Sequence, residues 1–525
     1  VKIYPAEKEA GPVEYKLKIR RSAEKIEKLA TQLKYRLGEG GGEAFLVIGV
    51  TDEGEPLGLS EEELEESLRV LDEASKKINA VWKIVQVAQG KRGKVVEVFL
   101  RRSRLDTPPI FLNIPVLGNV DSGKSTLISV LCTGELDDGN GLAMSKIARY
   151  LHEIESGRTS SITPNYLGFD VDGNVVNHRL LDPLEESEIF LKSSKILILI
   201  DLGGHERYLR TTLKGVMGRA PDYAMLVVAA NAGLIGTGKE HLGLLVALKI
   251  PFFVVVTKKD LVPHEILGRT LTGLYALLKM PGVRKIPLLI ENEDDIVLAA
   301  RLVPKARVVP IFIVSNVTGE GLDRLNKFLN LLPPRMRWKE KRKREFLMYV
   351  EHVFNVRGVG LVVSGLVLEG EVRVNERVLI GPDSRGLFKS VRVKSIHVNR
   401  VSVDSAQAGQ EACLAIQGIG FDEVVKGMCL TSKRLQPKSI RSFEAEIKIL
   451  HHPTMIKRGY QAVCHIHTIR HAIVFEKMSK EPLRTGDSAI VHLRFLYRPW
   501  YIRKGDVFIF REGRTRGLGV VTRVS

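Results

Sequence analysis

The chain has 525 residues, 44% of them hydrophobic and 27% charged, which suits a soluble protein of three or four domains. Its formal net charge of +18 suits an acidic partner, most simply RNA, and charge alone suits a basic surface with no specific partner equally well. The four cysteines form no C-x-x-C pair and no apolar run reaches membrane-span length, which excludes a zinc ribbon, a dithiol redox motif and a spanning helix. The N-terminal stretch VKIYPAEKEAGPVEYK is charged from its start and has no signal-peptide pattern, so a reducing, cytoplasmic location is expected.

Residues 1–108 read as a small α+β domain. YKLKI has strand composition, and apolar residues recur at helical spacing over Ala23–Leu37. The run GEGGGE, Gly38–Glu43, lacks the Lys-Ser/Thr and helix of a nucleotide loop, and is expected to be a flexible turn or an RNA-contacting loop. A strand AFLVIGV, a helix over Glu61–Ile78 and two alternating strands follow.

Residues 109–338 read as a doubly covered α/β domain, because ILILID, AMLVVAA, FFVVVT and VVPIFIVS are near-continuous apolar runs separated by helical patterns such as Glu240–Leu248 and Gly321–Leu331. GNVDSGKST, Gly118–Thr126, follows the strand-like FLNIPVL and matches G-x-x-x-x-G-K-[ST]. Concentrated phosphate charge is met by a turn of backbone N–H groups capped by a helix N-terminus. The phosphates are therefore expected on Asn119, Val120, Asp121, Ser122, Gly123, Lys124, Ser125 and Thr126, with the Lys124 ammonium reaching β- and γ-oxygens and the Ser125 hydroxyl on Mg²⁺. DLGGH, Asp201–His205, ends the next strand. Asp201 is expected to hold Mg²⁺ through a water, Gly204 to offer its N–H to the γ-phosphate, and His205 to orient the attacking water. TKKD, Thr257–Asp260, ends a third strand, and the Asp260 carboxylate can accept from both the ring N–H and the exocyclic amine of guanine, which adenine cannot match. The Lys258 stem can cover the base, and the N–H groups of Ser315 and Asn316 can receive its carbonyl oxygen. The nucleotide expected is therefore GTP or GDP with Mg²⁺.

The charge run KEKRKRE, Lys339–Glu345, reads as an exposed linker. Beyond it, short strands with glycine turns suit two β-barrels, over 345–436 and 440–525. Cys464, His465, His467 and His471 invite a zinc reading, which strand alternation disfavours. In the last barrel Arg498, Arg503, Lys504, Arg511, Arg514 and Arg516 interleave with Tyr497, Trp500 and Tyr501, a composition that suits an RNA backbone.

These motifs, in this order, resemble the translation-factor GTPases, whose mark is histidine after D-x-x-G. VFNVRGVGLVVSG (Val353–Gly365) is similar to the start of the second domain of elongation factor Tu, and FIFREGRTRGLGVVTRVS (Phe508–Ser525) to the end of its third. Within that superfamily HEIESGRTSSI, LIDLGGHERYLRTT, VSNVTGE and LHHPT resemble the GTP-binding protein 1/2 family, with a compact, archaeal-looking chain. The resemblance implies a GTP hydrolase with a P-loop G domain followed by two β-barrels, behind a small α+β N-terminal domain. It places switch I at Gly157–Thr163, where by register Ser161 takes the position of a Mg²⁺-binding threonine, with Thr159, Ser160 and Thr163 as neighbouring alternatives. It also places Thr257 where asparagine is commoner, its hydroxyl still able to tie the base loop to the phosphate loop. It implies aminoacyl-tRNA and the ribosome as partners; with no oligomeric signal and no apolar span in the sequence, a monomer without a membrane partner is expected. The alternative it implies is a GTP-switched RNA-binding adaptor that recruits the exosome for messenger RNA decay. Selenocysteine-specific factors are less similar, since they normally carry a further C-terminal domain.

Overall fold

A computed structural model describes residues 4–103, 109–147, 163–202, 221–335, 338–513 and 515–524. The chain divides into two compact units, the N-terminal and G domains in one and the two barrels in the other.

The N-terminal domain is a four-stranded sheet under two helices. Its strands β1 (Val13–Lys16), β2 (Glu43–Ile48), β3 (Ala80–Gln89) and β4 (Lys94–Arg102) lie in the order β1-β2-β4-β3. Helix α1 (Ala23–Glu39) starts where the Ser22 side chain accepts from Lys25 N–H, and it buries Ile26, Leu29, Leu33 and Leu37 on one face. Helix α2 (Glu61–Lys77) starts in a capping box of Ser60 and Glu63. These helices cover one face of the sheet. The other face is covered by the G domain, since Phe45 of β2 and Phe99 of β4 lie in the same core as Leu112, Ile296 and Leu331. Burial on both faces is why EAFLVI carries no polar alternation.

The glycine run differs from its expectation as a flexible or RNA-contacting loop. Helix α1 continues through Gly38 and Glu39, and a tight turn leads straight into β2. A Cβ at Gly40 would lie 1.8 Å from the Glu43 carbonyl oxygen, so close backbone approach is what demands glycine there. Glu43 is buried. Its carboxylate accepts from Arg101 Nε at 2.9 Å and from Lys195 Nζ at 3.0 Å through both oxygens. Lys195 Nζ also donates to the Asn330 and Leu332 carbonyls, and Arg101 to the carbonyls of Asp170 and Asn330. These bonds join the two domains through a satisfied buried ion network.

The G domain is a seven-stranded sheet: β5 (Ile110–Gly118), β6 (Thr163–Phe169), β7 (Lys195–Asp201), β8 (Ala224–Ala229), β9 (Phe252–Thr257), β10 (Ile286–Leu289) and β11 (Val308–Ile313), in the order β10-β11-β9-β8-β5-β7-β6. All pairings are parallel except β6 with β7. Helices α3 (Lys124–Thr133), α4 (Gly236–Ala247), α5 (His264–Lys279) and α6 (Glu293–Leu302) lie between successive strands, and α7 (Leu322–Leu331) follows β11. The carboxyl ends of β5, β7, β9 and β11 therefore share one edge, where open α/β sheets bind ligands.

In the second unit, α8 (Trp338–Arg342) occupies part of the segment expected as an exposed linker. Trp338 is buried against Gly409, where a Cβ would meet its ring at 2.9 Å. The first barrel closes by pairing of Leu347–Tyr349 with Gly360–Glu369. The second is a closed six-stranded barrel sealed between Ser442–His451 and Thr515–Val524. Arg503 forks onto Glu369 at 2.9 and 3.2 Å, the Tyr349 hydroxyl donates to Tyr501 O at 3.0 Å, and His467 stacks on Tyr349 while meeting Asp506 at 3.0 Å. Among the described residues no helix is long and apolar enough to cross a membrane.

Candidate functional site

The phosphate-loop sequence forms a backbone cradle at the end of β5. Asp121 and Gly123 both have positive φ, 57° and 83°, which curls successive N–H groups inward. Gly123 is the N-cap of α3 and supplies no side-chain cap, so the first-turn N–H groups keep their donor capacity for an anion. Lys124 is buried, its Nζ donating to Asn119 O at 2.7 Å and reaching Gly118 O at 3.4 Å. Burial pushes this ammonium down to about 8, while Asp201 and Asp121 pull it back up.

Ser125 and Asp201 come from different elements yet meet directly: Ser125 Oγ donates to Asp201 Oδ2 at 2.6 Å. Two hard oxygen donors thus converge beside the cradle, and both are buried. Such a pair fits Mg²⁺ rather than a soft metal.

The base loop is tied to the cradle. Thr257 Oγ1 donates to Ser122 O at 2.6 Å, and a side-chain carbon added at Gly123 would sit 3.5 Å from that hydroxyl and 3.7 Å from Asn316 Nδ2. Lys258 follows in the left-handed region at φ 60°, and turns the chain so that Asp260 stands exposed. Ser315 Oγ donates to Asp260 Oδ1 at 2.6 Å and accepts from Val317 N and Thr318 N. One expectation needs correction. The Ser315 N–H is engaged by Glu320 O at 3.0 Å and is not free to receive a carbonyl oxygen, while the Ser315 hydroxyl holds Asp260.

Ser161, Gly204 and His205 lie outside the described residues. Asn119, Val120 and Thr126 take their places in the cradle and at the start of α3.

Sequence reasoning missed two residues. On α4, Thr237 Oγ1 donates to Asn119 Oδ1 at 2.9 Å, and His241 Nδ1 accepts from Gly118 N at 3.1 Å. A threonine and a histidine four apart on a helix share a face, which was the only available signal.

The aromatic-basic cluster of the last barrel also needs correction. Trp500 and Tyr501 are buried core residues, Arg503 is spent on Glu369, and the Arg498 guanidinium lies 4.5 Å from the Trp500 ring and donates to Pro382 O. Tyr497 and Lys504 stay exposed. His471 is held below the usual imidazole range by burial and by the charges of Arg498 and Arg441.

Three family descriptions match the chain: the elongation factor Tu GTP binding domain over 109–335, elongation factor Tu domain 2 over 360–431, and the elongation factor Tu C-terminal domain over 436–525. GTP-binding protein 1 of Xenopus laevis is 46% identical over 505 residues, covering 96% of this chain and 77% of the relative. GTP-binding protein 2 of Homo sapiens is 43% identical, covering 99% and 88%. Elongation factor 1-alpha of Thermococcus gammatolerans is 28% identical, covering 73% and 89%. Among solved structures, translation elongation factor SelB from Methanococcus maripaludis bound to the GTP analogue GppNHp superposes with a TM-score of 0.56 at 20% identity, covering 80% of each chain. That likeness bears on fold alone.

Proposed function

Because the chain belongs to the elongation factor Tu-type GTPases, alongside GTP-binding proteins 1 and 2, we propose that it is a GTP-switched factor that binds aminoacyl-tRNA and acts on the ribosome. Its G domain binds and hydrolyses GTP. The observation that carries the GTP site of this reading is the convergence of three strand ends: Ser125 on Asp201, Thr257 on Ser122 and Ser315 on Asp260, each at 2.6 Å.

In this reading the N–H groups from Asn119 to Thr126 and that of Gly204 hold the phosphates. Lys124 carries a buried positive charge to the β- and γ-oxygens while its other N–H donors stay on the loop carbonyls. Ser125, Asp201 and Ser161 would hold Mg²⁺. Bound there, the ion would offset the negative charge of the γ-phosphate. His205 orients the attacking water and takes no covalent part. Asp260 reads the guanine edge, held in place by Ser315, while Lys258 covers the base and Asn316 lies beside the loop. Release of switch I and switch II after hydrolysis would end the binding-competent state.

Two features support an RNA partner. Lys and Arg outnumber Asp and Glu by more than two to one over residues 436–525. The relatives include elongation factors in name. A cytoplasmic location follows from this reading.

The test is filter binding of aminoacylated and deacylated tRNA at a stated salt concentration, with a non-hydrolysable GTP analogue and with GDP. Preference for charged tRNA in the GTP state alone is the expected result. RNA binding that ignores both the aminoacyl group and the nucleotide would overturn the proposal.

A further inference from the structure

The phosphate loop is gripped from outside as well as shaped from within. Gly118 has φ 150°, and a Cβ there would meet Val227 O at 2.3 Å, so β8 bounds it closely on one side. On another side stands α4. His241 and Thr237 are one helical turn apart, and both are buried. His241 Nδ1 takes the N–H of Gly118, and the Thr237 hydroxyl takes the Asn119 side chain. Gly118 and Asn119 are also the residues whose carbonyls hold the Lys124 ammonium. A continuous chain of contacts therefore runs from α4 through two loop residues to the charge that meets the phosphates.

We infer that His241 and Thr237 are positioning residues for nucleotide binding: they clamp the start of the phosphate loop to α4 and so fix where Lys124 can meet the β-phosphate. The inference rests on the reading of Gly118–Thr126 as the phosphate loop. The bond fixes the imidazole chemistry. Because Gly118 N–H donates, Nδ1 must be the unprotonated nitrogen and the ring proton sits on Nε2. The clamp thus needs an acceptor at the Nδ1 position and nothing bulkier. An asparagine can put Oδ1 close to that position, whereas glutamine carries its carbonyl further out, near Nε2.

Dissociation of a fluorescent GDP from the full chain reads the clamp. His241→Leu, His241→Gln and Thr237→Val should each release GDP about three- to tenfold faster, the range one hydrogen bond accounts for, with association within about twofold of the parent. His241→Asn should release it at nearly the parent rate. A merely structural histidine would not separate asparagine from glutamine in this way. If His241→Leu does not fold, Thr237→Val carries the test alone. Parent-like release from both His241→Leu and Thr237→Val, or equal acceleration by His241→Asn and His241→Leu, would overturn the clamp. Failure of the parent chain to bind GDP at all would instead remove the phosphate-loop reading on which it stands.

Discussion

At the scale of single residues, Asp260 owes its direction to Ser315, whose hydroxyl also takes two N–H groups of its own turn. Ser315→Ala should weaken GDP binding by roughly fivefold, since a charge-assisted hydrogen bond is lost while the carboxylate stays solvated. Asp260→Asn should move preference from guanine to xanthine nucleotides, because the base edge then needs an acceptor where guanine has an amine. Competition of the two nucleotides against labelled GDP measures both. His205→Ala should keep GTP affinity and lose stimulated hydrolysis, checked by binding and by single-turnover phosphate release in parallel. Lys124 gives a pH signature. Its native value of about 8 lies below its unfolded value of about 10.4, so the nucleotide-free fold carries a buried-charge penalty below pH 8 that is relieved as pH rises towards 10. Any stability advantage of Lys124→Met should therefore shrink between pH 8 and 10, as read by denaturant unfolding at each pH.

At the scale of elements, the strands were legible because β7, β8 and β9 are buried throughout and need no alternation. The motifs were legible because each sits at a strand's carboxyl end. What escaped was long-range. Nothing local says that Trp500 and Tyr501 turn inward, since aromatics beside arginines have the same composition in a core and on an RNA face. Nothing in KEKRKRE shows that Trp338, just before it, seats against Gly409 and starts a helix. Nor does the sequence show that the Ser315 N–H is already taken by Glu320, or that α4 reaches the phosphate loop. Gly118→Ala tests how tightly the strand end is packed. The Cβ would lie 2.3 Å from a β8 carbonyl, which backbone cannot yield cheaply. GDP binding should be lost, with the circular dichroism of the barrels retained.

At the scale of the whole molecule, the N-terminal domain shares a core and an ion network with the G domain. Burial pushes the Lys195 ammonium down to about 8 despite Glu43 beside it. Glu43→Gln would leave Arg101 and Lys195 buried without their counter-charge, at a cost of about 3–5 kcal/mol. The thermal midpoint of the G domain should fall by several degrees, and a parent-like midpoint would show that water reaches the joint. Strand β7 runs from Lys195 in that joint to Asp201 beside Ser125. Seven residues at about 3.3 Å each make a rod of roughly 20 Å. Any coupling between its two ends is reciprocal: free energy that GDP contributes to ordering the joint is returned by the ordered joint to GDP. Amides of β2 and β4 should then exchange with deuterium more slowly when GDP is bound. The factor by which GDP raises that protection should equal the factor by which opening of the joint weakens GDP binding, and Glu43→Gln should lower the protection and raise the Kd for GDP together.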